Sequence, residues 1–267
     1  MAPEPIVRDP ATTRTQLSIA GVSKTYRTQR GEHTRAVEDV TLEVADGELV
    51  SVVGPSGCGK TTLMKMCAGL VGVTAGRIDY AGTGSTVPPG RSGIVFQTPA
   101  LLPWRTILAN VTLPADVLGL DRQDAQERAR ELLALVQLDG IETKYPGELS
   151  GGMQQRAAIA RALLHDPEIL FMDEPFGALD ALTREDLNLQ LQQVHMAQGK
   201  TIVFITHSIR EAVLLSDRVV VMSAGPGRIL ADIPIPFERP RRLDQGADPE
   251  FAAIEARLRD LLATRKG

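Results

Sequence analysis

Leu49-Val50-Ser51-Val52-Val53 runs directly into Gly54-Pro55-Ser56-Gly57-Cys58-Gly59-Lys60-Thr61. The first five residues form a short apolar run of the kind that makes a buried strand. The next eight fit the pattern G-x-x-x-x-G-K-[ST] at every fixed position. Glycines let such a turn curl until successive N–H groups point into one hollow. A helix predicted from Lys60 to Leu70 adds the positive end of its dipole. Strand, glycine turn and helix together predict a phosphate cradle, with Lys60 reaching β- and γ-phosphates and Thr61 offering its hydroxyl to Mg²⁺. Gly54, Pro55, Ser56, Gly57, Cys58, Gly59, Lys60, Thr61 and Thr62 are its candidate residues. The nearby helix N-terminus would lower the Cys58 thiol pKa and make it sensitive to thiol reagents. The alternative is that this position only needs a small residue.

Outward from the cradle, short apolar runs alternate with helical stretches. Leu17 to Tyr26 and Thr41 to Val44, with a turn over Ala45-Asp46-Gly47-Glu48, suggest a hairpin-rich β region. Arg77 to Tyr80 and Ile94 to Gln97 are two further strands. Residues 98–165 turn mostly helical, with Asp121 a candidate N-cap for a helix reaching Leu138. Then come strand Glu168 to Met172, helix near 180–198, strand Thr201 to Ile205, helix near 208–215 and strand Arg218 to Met222. This alternation implies an α/β core with a parallel sheet and right-handed crossovers, flanked by an antiparallel β subdomain and carrying an inserted helical subdomain. Residues 238–248, rich in Pro, Arg, Asp and Gly, suggest a linker. Phe251, Ile254, Leu258, Leu261 and Leu262 mark one face of a last amphipathic helix, which either docks on its own domain or makes a dimer or regulatory contact.

Composition narrows the class. The 267 residues are 43% hydrophobic and 23% charged, as in an ordinary globular protein, which excludes a chain disordered throughout. Aromatics at 4% and a net charge of −4 argue against a nucleic-acid partner. Two cysteines, Cys58 and Cys67, make no disulfide framework and carry no zinc spacing. Residues 1–15 form a proline-containing tail without a signal-peptide core, and no apolar run is long enough to cross a bilayer.

Two more segments bear on chemistry. Ile169-Leu170-Phe171-Met172-Asp173-Glu174 delivers two carboxylates at the end of an apolar strand, where α/β sheets bind ligands. Asp173 can hold Mg²⁺, and Glu174 can accept a proton from an attacking water. Leu149-Ser150-Gly151-Gly152-Met153-Gln154-Gln155-Arg156 opens another helix on Ser-Gly-Gly, a second anion-seeking N-terminus. One nucleotide does not need two cradles from one chain, so the second suggests service to a nucleotide held by a second copy.

Together these segments resemble the nucleotide-binding subunit of an ATP-binding cassette transporter over about residues 16–236. The resemblance identifies a P-loop core and implies ATP and Mg²⁺ as ligands. Gly54 to Thr61 resembles the Walker A loop and Leu149 to Gln154 the signature loop, so that Ser150, Gly151, Gly152 and Gln154 would face the ATP of a partner copy. Asp173 and Glu174 resemble the Walker B aspartate and catalytic glutamate. Gln97 matches the Q-loop glutamine that senses Mg²⁺ and the γ-phosphate, Gly177-Ala178-Leu179-Asp180 the D-loop, and His207 the switch histidine. Tyr26 matches the aromatic that stacks on adenine; by position alone an edge-strand aromatic explains it equally. Met153 departs from the commonest signature, and Gly177 from the commoner serine.

Pro99-Ala100-Leu101-Leu102-Pro103-Trp104, Met153-Gln154-Gln155-Arg156 and Pro175-Phe176-Gly177-Ala178-Leu179-Asp180 resemble the nitrate/sulfonate/taurine branch of bacterial importers. That branch implies a homodimer held at the cytoplasmic face of the inner membrane by a permease subunit, with a solute-binding protein acting indirectly. Leu101, Leu102 and Trp104 either receive a permease helix or pack the helical subdomain. Two other readings compete. A soluble cassette ATPase of repair or translation usually carries two cassettes or a long coiled coil, whereas this chain has one Walker A loop and no sustained heptads. A metabolite kinase would lack the signature loop.

Overall fold

Strand β3 (Leu49–Val53) has all five side chains buried. It lies between parallel neighbours in the computed structural model, which describes residues 14–27, 33–84, 87–88 and 90–263. With β5 (Ser92–Val95), β6 (Ile169–Asp173), β7 (Thr201–Ile205), β8 (Arg218–Met222) and β9 (Ile229–Pro234) it forms a sheet of order β5-β6-β7-β3-β8-β9. All neighbours are parallel except β9, which runs antiparallel to β8. Strands buried on both faces are near-continuous apolar runs, so they show plainly in the sequence. β9 does not: Ile229-Leu230-Ala231-Asp232-Ile233-Pro234 is an edge strand with one buried residue and a terminal proline.

A second sheet, of order β2-β1-β4, is antiparallel and is built from β1 (Thr15–Arg27), β2 (His33–Ala45) and β4 (Ala75–Tyr80). Helix α1 (Lys60–Cys67) lies between the sheets. Its Leu63, Met64 and Cys67 share one apolar cluster with Leu17, Ile19 and Val44 of the small sheet and Phe171 and Val203 of the large one. Both faces of α1 are therefore covered, which fixes the turn before it. The helix ends three residues before the expected Leu70, because Gly69 takes φ +71° and turns the chain away.

The middle of the chain holds α2 (Ile107–Val111), α3 (Leu113–Leu118), α4 (Arg122–Leu135) and α5 (Gly151–Leu163). Asp121 caps α4 as expected, its Oδ1 accepting from the amides of Gln123 (2.8 Å) and Asp124 (3.0 Å). Ala125, Ala129, Leu132 and Leu133 of α4 pack into the cluster that holds Ala157, Ala160 and Leu163 of α5.

Helices α6 (Ala181–Gln198) and α7 (Ile209–Leu215) connect the later strands. Helix α8 (Pro249–Ala263) docks on its own chain: Phe251 and Leu258 are buried with Val213 of α7 and Val219 of β8, and Ile254, Leu261 and Leu262 pack beside them. The linker expected at 238–248 is instead part of this packing. Arg241 is 1% exposed and donates to the carbonyls of Val213 (2.8 Å), Ser216 (2.6 Å) and Phe237 (2.7 Å). Its guanidinium thus covers the free carbonyl end of α7. Residues 1–13 of the expected tail lie outside the described residues, and β1 begins at Thr15.

Candidate nucleotide site

The parallel strands end at one edge. Val52 pairs with Ile205, and Asp173 pairs with Ile205, so Gly54, Glu174 and Thr206 emerge side by side. Val95 pairs with Met172, so Gln97, two residues past β5, leaves the sheet there too. This is the carboxyl edge at which open α/β sheets bind ligands.

The Gly54–Thr61 turn needs its glycines for different reasons. Gly57 (φ +76°) and Gly59 (φ +98°) take left-handed backbone. At Gly59 a Cβ would also meet Ala36 O at 2.6 Å, and at Gly54 it would meet Cys58 Sγ at 2.8 Å. Lys60 is buried and donates to Gly54 O (2.9 Å) and Pro55 O (3.2 Å), holding its ammonium over the turn. The first turn of α1 also presents Thr62, which is half-buried, while Pro55 and Ser56 are exposed.

Cys58 departs from expectation. Its thiol is 1% exposed, and burial pushes its pKa up, with nearby Lys60 only partly opposing this. Position 58 wants a small side chain that fits under Gly54, and the helix end does not activate it. A further support for the loop had no signal in the sequence. Gly227, in the turn between β8 and β9, lies so close that a Cβ there would stand 2.0 Å from Cys58 O.

Thr61 Oγ1 donates to Asp173 Oδ1 at 2.9 Å. Burial raises the Asp173 pKa, and the Thr61 hydrogen bond pulls the other way. Two hard oxygen donors, one on the first turn of α1 and one at the end of β6, suit Mg²⁺, which takes one or two protein oxygens and completes its shell with phosphate and water. Among the described residues no group of three or more metal-ligand side chains occurs. The residues present thus fit a nucleotide-shared ion.

Glu174 sits at φ +44°, a conformation uncommon for a non-glycine residue and typical of functional sites. Its amide donates to Ile205 O at 2.9 Å, and its Oε2 meets Nδ1 of His207 at 3.2 Å. Gln97 reaches the same spot: a Cβ at Gly177 would lie 3.3 Å from Gln97 Nε2 and 3.6 Å from Glu174 Oε2. Glycine in place of serine at 177 therefore leaves room for Gln97. The segment after β5 is pinned by α5, through Gln155 to Phe96 O (3.1 Å) and Arg161 to Pro99 O (2.7 Å) and Ala100 O (2.8 Å). Gln97, Glu174, His207, Asp173, Thr61 and Lys60 are thus brought to one edge.

Ser150, Gly151, Gly152 and Gln154 stand apart from it, at the start of α5. Ser150 is exposed and caps α5 by accepting from Met153 N at 3.3 Å. The amide nitrogen of Gln154 is committed to Pro146 O (3.0 Å) and Leu149 O (3.2 Å). Gly152 has no room for a side chain, since a Cβ would meet Thr183 Cγ2 at 2.5 Å. Tyr26, near the end of β1, is 41% exposed, and Lys24 Nζ lies 5.1 Å from its ring centroid. Trp104 is 72% exposed, so it does not pack the helical region, while Leu101 does.

Residues 37–177 match the family described as ABC transporter. The taurine import ATP-binding protein TauB of Roseobacter denitrificans is 42% identical over 241 residues, 90% of this chain and 88% of its own length. The bicarbonate transport ATP-binding protein CmpD of a Synechocystis species is 43% identical over 253 residues, 93% of this chain and 89% of its own. A solved dimeric ATP-binding cassette, in a post-hydrolysis state with ADP and phosphate, superposes with a TM-score of 0.72 at 31% identity, covering 82% of this chain and 98% of that one.

Proposed function

Because the chain belongs to the ABC transporter family of ATPases, we propose that it powers import of a small anionic solute through a separate permease, working as a head-to-tail homodimer at the cytoplasmic face of the membrane. One observation carries the dimeric reading. The chain has two anion-seeking helix starts, the buried-lysine turn Gly54–Thr61 and the exposed start of α5 at Ser150, and in the second the Ser150 and Gln154 side chains bond within their own segment. A nucleotide seated on Lys60 of one copy would be closed over by Ser150, Gly151, Gly152 and Gln154 of the other. The dimeric cassette that this chain resembles supports that arrangement. No described helix is long and apolar enough to cross a membrane, and in this reading a separate permease provides the path. Relatives named for taurine and bicarbonate support a small solute that bears an anionic group; its delivery by a solute-binding protein is part of this proposal.

Lys60 and the amides of the turn hold the β- and γ-phosphates, and Tyr26 stacks on the adenine. Thr61, Asp173 and Gln97 would hold Mg²⁺, which neutralises phosphate charge when bound. Glu174 orients the attacking water and takes its proton, and His207 contacts the γ-phosphate. Little covalent chemistry is asked of the protein, since rate comes mostly from positioning and charge stabilisation.

Mixing two dead variants tests this. Ser150→Arg and Lys60→Ala chains should each be inactive alone. Mixed equally, they form hybrid dimers with one intact site and regain ATPase activity. A mixture that stays as inactive as its components, although hybrid dimers form, overturns the shared site.

A further inference from the structure

Three polar side chains that the sequence did not single out link the loop carrying His207 to the loop Gly177-Ala178-Leu179-Asp180. Thr206 is buried, and its Oγ1 donates to Glu211 Oε2 at 2.5 Å. The same Oγ1 accepts from Ser208 N at 3.0 Å, so one hydroxyl gathers the residues on both sides of His207. Glu211, on the first turn of α7, has a side chain only 8% exposed, and its other oxygen stands 3.6 Å from Arg184 Nε. Arg184, on the first turn of α6, donates through Nη2 to Leu179 O at 2.9 Å.

A buried carboxylate is costly unless it is paired and hydrogen-bonded. Capping does not account for Glu211, because Ser208 already caps α7 by accepting from the Glu211 amide at 3.3 Å. What Glu211 adds is a link, a hydrogen bond to Thr206 on one side and a 3.6 Å ion pair to Arg184 on the other. On one side it fixes the backbone flanking His207, whose ring meets Glu174 at 3.2 Å. On the other it meets the guanidinium that holds the carbonyl of Leu179, two residues past the Gly177 that Gln97 approaches.

We propose that Arg184, Glu211 and Thr206 are positioning residues for hydrolysis, setting His207 against Glu174 and tying its place to the Gly177–Asp180 loop. This rests on the role given to His207 above. Hydrolysis is sensitive to displacements of this kind, since a misplacement of about 1 Å can cost on the order of 100-fold. A link between two loops also gives each a reason to move with the other.

The test uses the full chain. Thr206→Val removes the shared hydroxyl with little change in volume, and Thr206→Ser restores it. Thr206→Val and Arg184→Ala should lower kcat for ATP hydrolysis about 10-fold or more, with KM changed by less than about 2-fold. Thr206→Ser should return kcat to near the parent value. Nitrogen-15 spectra of the four histidines report on position. The His207 ring signals should shift in the Val variant and return in the Ser variant. Those of His165, bonded to Ser92 O at 3.0 Å, should stay, which shows that the fold is intact. A kcat unchanged in both Thr206→Val and Arg184→Ala, a Thr206→Ser variant as impaired as Thr206→Val, or His165 signals that move together with those of His207 would overturn the proposal. His207→Ala, run alongside, separates two failures. If it hydrolyses ATP at the parent rate, the role of His207 falls. If it is inactive while Thr206→Val is normal, only the positioning role falls.

Discussion

Thr61 Oγ1 and Asp173 Oδ1 are joined by a 2.9 Å hydrogen bond that spans from the first turn of α1 to the end of β6. The bond bridges two strand positions of the large sheet, since β7 lies between β6 and β3. It ties the Gly54–Thr61 turn to the strand that delivers Glu174 and leaves two oxygen donors together where, in the proposed function, phosphate charge would accumulate.

Asp173→Asn keeps the shape but removes the charge. The variant should need about 10- to 100-fold more Mg²⁺ for half-maximal ATPase activity, the range typical of a weakened metal shell. Magnesium titrations at saturating ATP measure this. An unchanged magnesium requirement would take Asp173 out of the proposed metal site.

Glu174→Gln is nearly isosteric but cannot take a proton from water. Turnover should fall by roughly 100-fold or more, within the range expected for lost general-base catalysis, while ATP binding is kept. Size-exclusion chromatography with ATP should then show a stable dimer. A variant that hydrolyses near the parent rate would show that Glu174 is not the base.

Much of this site was legible because its parts are local. Gly54 to Thr61 is contiguous, and its flanking strand is apolar on both faces, so pattern and context agree. Asp173 and Glu174 stand out for the same reason. The β9 edge strand did not, because a strand with one buried residue has no apolar run. Arg241 was hidden in a stretch with linker composition, since nothing in Arg239-Pro240-Arg241 signals that a guanidinium will meet the carbonyl end of α7. The Thr206–Glu211–Arg184 link was hidden too, because α6 and α7 come together only in the fold. Cys58 offers two readings in the sequence, a thiol made reactive by the helix end or a position that only needs a small residue, and burial of the thiol favours the second.

The thiols follow from that balance. Burial raises the Cys58 pKa and pushes Cys67 to about 12. Only thiolate reacts, so the folded chain should be alkylated by iodoacetamide at pH 8 at least ~10-fold more slowly than a free cysteine. Intact-mass spectrometry should show both cysteines modified only after denaturant is added. Fast native labelling of Cys58 would mean that the turn opens readily.

Arg241 should matter for stability. Burial brings its pKa down to about 10, and its donors satisfy the carbonyls of Val213, Ser216 and Phe237. Arg241→Met fills similar space but leaves those carbonyls without a partner. Unfolding in urea should show a loss of about 3 kcal/mol or more, the usual scale for a broken buried polar network. A loss under about 0.5 kcal/mol, typical of an exposed position, would show that the guanidinium is dispensable.

The proposed permease contact is tested most directly at Trp104. The segment that carries it is rigid. Asn110 is buried and donates to Leu102 O, Arg105 O and Thr106 O at 3.0 Å each, and accepts from Leu102 N at 2.6 Å. On this fixed loop Trp104 is 72% exposed, and elsewhere in the helical region Val117 is 76% and Leu120 46% exposed. A large apolar ring held in water on an ordered loop suits an anchor for a permease helix. Trp104→Ala should therefore change folding stability by less than about 0.5 kcal/mol and leave the basal ATPase of the isolated subunit intact. The same variant should detach from membranes that contain the permease, since losing such an anchor costs about 2 kcal/mol or more, or roughly 30-fold in affinity. Flotation with permease-containing vesicles measures this, and protein-free vesicles should bind neither chain. A Trp104→Ala variant that floats as well as the parent, or a parent that binds protein-free lipid tightly, would place the membrane contact elsewhere.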